Sequence, residues 1–123
     1  MANAYLYFNA FIYAAFALWC TLVPTETARA VGYETLSRSG LSEYLVVYGG
    51  LELGLAFFFV WCARKGMQRA GLAFSLALYA PIVIYRLATV AHQWPVAPLT
   101  LGTGVLEILL LLGALAAWRS LRA

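Results

Sequence analysis

The chain has 123 residues, of which 64% are hydrophobic and only 11% are charged, and its formal net charge is +3. Soluble domains carry about 25% charged residues, so the composition excludes a soluble globular protein and indicates a single-domain integral membrane protein. The basic residues are too scattered to follow a phosphate backbone, so no nucleic-acid partner is expected. With no aspartate, one histidine and no Cys-x-x-Cys motif, the sequence predicts no metal site, no cofactor and no catalytic set.

Four apolar segments follow one another along the chain, at about 4–23, 41–62, 68–91 and 98–118. Each is close to the ~20 residues that a membrane-spanning helix needs. Residues 24–40 form the only sizeable connection, in which we expect Thr25 to cap a short helix and Ser39 or Ser42 to cap the second spanning helix. Because the other connections are short, the predicted fold is all-α, a four-helix antiparallel transmembrane bundle over residues 1–123.

The basic residues predict the orientation of this bundle. Arg64, Lys65 and Arg69 lie between the second and third segments, and Arg119 and Arg122 follow the fourth. Cytoplasmic loops carry an excess of lysine and arginine. We therefore expect a multi-pass protein of a bacterial inner (cell) membrane, with the N- and C-termini in the cytoplasm and the 24–40 loop on the outer side.

The second segment contains the run Tyr48-Gly49-Gly50-Leu51-Glu52-Leu53-Gly54. A carboxylate in mid-membrane costs ~2.5–3.5 kcal/mol on insertion scales, so Glu52 should face the bundle interior. Glycine is a poor helix former, but it lets a second helix approach closely, and Gly50-x-x-x-Gly54 has the spacing for this. The run predicts helix packing at Gly49, Gly50 and Gly54.

Two further ionisable residues, Arg86 and Glu107, lie in apolar surroundings of the third and fourth segments. At 1.5 Å per residue, Glu52 lies about 15 Å, Glu107 about 13–15 Å and Arg86 about 8 Å from the outer ends of their helices. Helical side chains lean toward the N-terminus, which brings the three groups to similar depth. We predict a buried Glu52–Arg86–Glu107 cluster bordered by Tyr48 and Tyr79. Its net charge of −1 calls for a protonated glutamate, water or a ligand cation.

The cluster has three interpretations that the sequence leaves open. It could only fix the register of the helices, it could orient the polar group of a ligand, or it could transfer protons or ions. His92, beside Gln93 and Trp94 at the outer interface, is either a wet surface side chain or a gate to the pocket.

The same residues resemble a known family. Ser39-Gly40-x-x-Glu43, the Tyr48–Gly54 run, Arg86 and Leu106-Glu107 are similar to the short bacterial membrane proteins of the domain-of-unknown-function 4345 family, with a more distant similarity to DoxX-like membrane proteins. The resemblance covers nearly the whole chain. It implies a four-helix integral membrane fold and no established activity.

The sequence thus favours a small integral membrane protein with a binding or accessory role. Its partners would be membrane lipids and a small amphipathic ligand held in an outward-opening pocket. An oligomeric transporter or channel-like subunit, working as a homo-oligomer, is the first alternative. A membrane enzyme is the second, and no nucleophile–base pair supports it.

Overall fold

The computed structural model describes residues 1–122, which are almost entirely helical. The helices are α1 (Ala2–Leu22), α2 (Pro24–Ala30), α3 (Arg38–Arg64), α4 (Gln68–His92) and α5 (Pro98–Arg122). All except the short α2 are long and apolar enough to cross a membrane. The chain is a multi-pass membrane protein, and the predicted fold class is confirmed.

The bundle is organised around α1. This helix packs along the second half of α3 and also contacts α4 and α5, which pack against each other. Successive spanning helices run antiparallel. Both termini and the α3–α4 turn therefore lie at one end of the bundle, here called the terminal end, while α2 and the α4–α5 turn lie at the other, the α2 end.

The best packed part of the core lies toward the terminal end. Leu6, Phe59, Cys62 and Leu72 are fully buried there. Gly71 permits this packing, since a Cβ atom at that position would lie only 2.8 Å from Leu6 Cδ2. The α2 end is more polar and less tightly filled, which leaves room for the site described below.

Two helix starts differ from the sequence prediction. Proline occupies the first turn of α2, because its fixed φ angle suits that position, and Thr25 forms no capping hydrogen bond there. The N-cap of α3 is Ser37, whose Oγ accepts a hydrogen bond of 3.0 Å from the Gly40 amide. The prediction that Ser39 or Ser42 caps this helix was wrong, because the helix begins before both of them.

The centre of α3 is not α-helical. A π-helical turn spans Val46–Leu51 and separates the α-helical parts Arg38–Leu45 and Glu52–Arg64. Such turns are rare and often occur at functional sites. This one coincides with the glycine run, where the missing side chains lower the cost of the wider turn, and it directly precedes Glu52.

The three glycines of the run have different surroundings. Gly49 is buried, and a Cβ atom on it would lie 3.0 Å from Thr21 Oγ1 of α1. Gly50 and Gly54 are exposed, and within residues 1–122 a Cβ atom on either would meet nothing within 4 Å. Gly49 thus lies close to α1, whereas Gly50 and Gly54 face away from the other described helices, and the packing of a helix at these two positions stays a prediction.

Candidate functional site

A cavity of about 190 Å³ lies inside the bundle at the α2 end. All four spanning helices contribute to its wall, and α2 lies over it. Its lining is mixed: it contains the three ionisable residues selected from the sequence, threonines of α5, and apolar and aromatic side chains. Mixed cavities between the helices of a bundle are common positions for ligand sites.

An ion pair between α4 and α5 forms one side of the cavity. Arg86 Nε donates to Glu107 Oε2 at 2.9 Å, and Nη2 donates to Oε1 at 2.7 Å. Two parallel charge-assisted bonds of this kind fix the relative orientation of the groups. Gly104 allows this contact, since a Cβ atom there would lie 3.2 Å from Arg86 Cγ. The sequence prediction that these two residues meet agrees with the structure.

The Arg86–Glu107 pair is not sealed in the protein. The two side chains remain 31% and 17% exposed, because they border the cavity. The pair is half-buried rather than buried as predicted, and it can contact a molecule that enters the cavity.

Glu52 borders the same cavity from α3 without joining the pair. Within residues 1–122, Arg86–Glu107 is the one ion pair, and Glu52 Oε2 is shielded from solvent without a hydrogen-bond partner. The predicted three-membered network was therefore wrong. Arg86 gives two of its five N–H donors to Glu107 and none to Glu52, which lines the cavity from α3.

Tyr48 and Tyr79 both line the cavity, as predicted for residues that border the cluster. The Tyr79 hydroxyl donates to Asn9 Oδ1, and Asn9 Nδ2 donates to the Tyr5 carbonyl at 2.9 Å. Asn9 and Tyr79 are fully buried. The first bond ties α4 to α1, the second holds the Asn9 side chain against its own helix, and the Tyr79 ring remains part of the cavity wall.

One aromatic surface of the cavity was not predicted from the sequence. Tyr13, Phe16 and Trp19 of α1 line it, and the rings of Phe16 and Trp19 lie edge to face with centroids 6.0 Å apart. The spacing of Phe16 and Cys20 on one helical face of α1 was a usable signal, since both lie in the lining.

The hydrogen bond that attaches α2 over the cavity was also not predicted. Tyr44 OH donates to Thr27 Oγ1 at 2.8 Å, and Thr27 is fully buried. The Tyr44 ring stacks on Tyr48 at a centroid distance of 4.5 Å. Thr27 and Val31 face the cavity. The loop segment thus carries a helix that forms the roof of the site.

His92, the predicted gate, is exposed at the end of α4 next to Gln93. It is not one of the residues that line the cavity. In the described part of the chain, no three His, Cys, Asp or Glu side chains are grouped so that they could hold a metal ion. The chemistry available in the cavity is that of one carboxylate, one neutralised ion pair, hydroxyl groups and aromatic rings.

Fold and site together define a small multi-pass membrane protein with a mixed polar and apolar cavity inside its helix bundle. The family model described as Domain of unknown function (DUF4345) matches residues 1–118. The chain belongs to this family, as the resemblance indicated. No curated protein and no solved structure matches this chain.

Proposed function

We propose that this protein binds a small amphipathic molecule inside the bilayer, in the cavity at the α2 end. The observation that carries the proposal is the composition of the cavity wall. Glu52 and the Arg86–Glu107 pair supply polar contacts, while Phe16, Ile82 and other apolar side chains supply the remaining surface. A molecule with a polar head and a short apolar part matches both surfaces at once.

The state of Glu52 supports binding over a purely structural role. A charged group that only fixes helix register is expected to find its partner within the bundle, because an unpaired buried charge is strongly destabilising. Arg86 and Glu107 meet that expectation. Glu52 Oε2 has no partner within residues 1–122, so its position is better explained by a group that arrives from outside the chain.

The size of the cavity limits the ligand. An apolar cavity of about 150 Å³ in another protein admits benzene, and the cavity here measures about 190 Å³. It therefore suits a headgroup or a compact ring with a short chain. A whole phospholipid would need to leave its acyl chains outside the bundle.

We also propose the orientation and the membrane. Arg64, Lys65, Arg119 and Arg122 lie at the terminal end, where Lys65 Nζ is 5.2 Å from the centre of the Trp61 ring. Basic residues with interfacial tryptophans are typical of the cytoplasmic side. The termini would then be cytoplasmic in a bacterial inner membrane, and the cavity would open toward the outer leaflet. Reporter fusions at either terminus test this directly.

An oligomeric transporter or channel-like subunit is the second candidate, and one observation favours it. Gly50 and Gly54 form an exposed small-residue surface on α3, which could admit a helix of a second copy. Glu52, however, borders the cavity within one chain. A transport route through the dimer contact would need that carboxylate on the outer face, so binding within one chain is the better supported function.

The proposal is tested with a substitution that fills the cavity and leaves its charged residues unchanged. Thr103→Phe places a ring into the cavity, and Leu109→Phe places the same ring on an exposed position of the same helix. Octanol or an extract of native lipid should raise the unfolding temperature of the wild type and of Leu109→Phe, since a ligand that binds only the folded state stabilises it. Thr103→Phe should lose this gain. An equal gain in all three proteins would contradict binding in the cavity.

A further inference from the structure

The charge of the cavity indicates which headgroup it would accept. Three acidic or basic residues line it: Glu52, Arg86 and Glu107. The bidentate contact between Arg86 and Glu107 neutralises two of them, with N–O distances of 2.9 and 2.7 Å. When ionised, Glu52 leaves the cavity with one negative charge. An anionic headgroup could reach only the N–H donors of Arg86 that Glu107 leaves free, and it would be repelled by both carboxylates.

The aromatic side chains of the wall act in the same direction. Tyr13, Phe16, Trp19, Tyr48 and Tyr79 all line the cavity. The faces of aromatic rings attract cations within about 6 Å of their centres, and aromatic cages are used to bind quaternary ammonium groups. A cavity that combines several rings with a single uncompensated carboxylate provides both interactions that an alkylammonium headgroup uses.

We propose that the headgroup recognised in this cavity is a cation, of the class of tertiary amines and quaternary ammonium groups, and that Glu52 is its counter-ion. This inference rests on the proposed function, because it names the ligand class of the same cavity. A trimethylammonium group is similar in bulk to a small ring, so it suits a cavity of about 190 Å³. Its attached chain would extend along the apolar wall. Glu52 would hold a quaternary ammonium by electrostatic attraction alone, because that group has no N–H donor.

The experiment compares three amphiphiles with the same alkyl chain: octyltrimethylammonium, octanoate and octanol. Binding to the purified full chain is measured in a nonionic detergent by calorimetry, with protein-free micelles as the blank. The wild type should bind the cation at least about tenfold more tightly than octanol, a difference of ~1.4 kcal/mol. Octanoate should bind more weakly than octanol. This comparison needs no variant.

Glu52→Gln then tests the counter-ion, and Glu43→Gln is the matched control. Glu43 belongs to the same helix and is exposed away from the cavity, so its substitution removes the same charge from the protein. Glu52→Gln should lose the preference for the cation and keep its binding of octanol, which also shows that the variant is folded. Glu43→Gln should behave as the wild type does.

The outcomes separate the two proposals. If octanol and the cation bind equally to the wild type, or octanoate binds most tightly, the cation proposal is overturned while binding in the cavity stands. A Glu52→Gln protein that keeps the cation preference also overturns it. If none of the three amphiphiles binds, or Thr103→Phe binds all of them as the wild type does, the proposed function itself fails and this inference fails with it.

Discussion

At the scale of single residues, the site depends on which charges are paired. Arg86 and Glu107 satisfy each other, whereas Glu52 Oε2 has no hydrogen-bond partner in residues 1–122. An unpaired acceptor that is shielded from water costs stability. Glu52 therefore lowers the stability of the fold, and a bound donor or cation would offset part of this destabilisation.

Removing one member of the Arg86–Glu107 pair should cost more stability than removing both. Arg86→Gln leaves Glu107 partly buried without its partner, and we expect a loss of roughly 1–3 kcal/mol, below the ~3–5 kcal/mol of fully buried pairs. The double variant Arg86→Gln/Glu107→Gln should recover part of that loss, because no lone charge remains. Titration with a denaturing detergent measures the unfolding free energies of the wild type, Arg86→Gln, Glu107→Gln and the double variant.

Arg38→Gln serves as the control for this cycle, since Arg38 is an exposed residue at the start of α3. It should change the unfolding free energy by less than ~0.5 kcal/mol. Additive effects of the two single substitutions would show that the pair contributes no coupling energy. The description of Arg86 and Glu107 as one unit would then be wrong.

At the scale of the helices, α2 is held over the cavity by one polar contact between side chains. Tyr44 OH donates to Thr27 Oγ1 at 2.8 Å, and Thr27 in turn donates to the Val23 carbonyl at 3.0 Å. Tyr44→Phe removes the first bond at a cost of about 1 kcal/mol. Amide hydrogen exchange should increase in residues 24–31 and stay unchanged in α4 and α5.

Tyr85→Phe is the matched control for this experiment, because Tyr85 is exposed on α4. It removes the same hydroxyl group and should leave exchange in residues 24–31 as it is in the wild type. Increased exchange throughout the bundle in Tyr44→Phe would contradict a local role of the contact. It would show instead that the bond supports the whole fold.

Close helix packing at glycine can be tested with two positions that have opposite surroundings. A Cβ atom at Gly71 would lie 2.8 Å from Leu6 Cδ2 and 3.1 Å from Cys62 Cβ. Gly71→Ala should therefore destabilise the bundle by about 1–3 kcal/mol. A Cβ atom at Gly54 would meet nothing within 4 Å among the described residues. The better helix propensity of alanine should therefore let Gly54→Ala stabilise the bundle by up to ~1 kcal/mol.

Thermal unfolding in detergent at low and high protein concentration checks both substitutions. If Gly54→Ala lowers stability, and the loss depends on protein concentration, Gly54 contacts a second copy of the chain. That result would favour the oligomeric alternative. Equal effects at Gly54 and Gly71 would contradict the different surroundings of the two glycines.

The four spanning helices could be predicted from the sequence because long apolar runs and the charges between them are local properties. The meeting of Arg86 and Glu107 followed from depth and from the lean of helical side chains, which a sequence also contains. Lateral arrangement is different. Hydropathy does not show which face of α3 meets α1, so the exposure of Gly50 and the separation of Glu52 from Arg86 could not be predicted.

The π-helical turn and the hydrogen bond that attaches α2 over the cavity could not be predicted either. The glycines of Val46–Leu51 permit a π-helical turn, but no residue pattern in the run required it. The Tyr44–Thr27 bond joins residues 17 positions apart across the only long loop. Such contacts depend on tertiary packing, which overrides local preferences.

At the scale of the whole molecule, the bundle has a cavity at one end and a tightly packed core at the other, and its two cysteines report on them. Cys20 lines the cavity at the α2 end, whereas Cys62 belongs to the packed core near the terminal end. Both are unoxidised thiols with little exposed surface, 2% for Cys20 and 0% for Cys62.

A small, membrane-permeant methanethiosulfonate can reach Cys20 through the cavity, so Cys20 in a Cys62→Ser protein should react at least about tenfold faster than Cys62 in a Cys20→Ser protein. Mass spectrometry of the labelled proteins over time gives both rates. Octanol should slow only the labelling of Cys20, because it occupies the space through which the reagent approaches. Equal rates, or equal protection by octanol, would mean that the cavity offers no better access than the packed core, and both the asymmetry of the bundle and the proposed binding site would lose their basis.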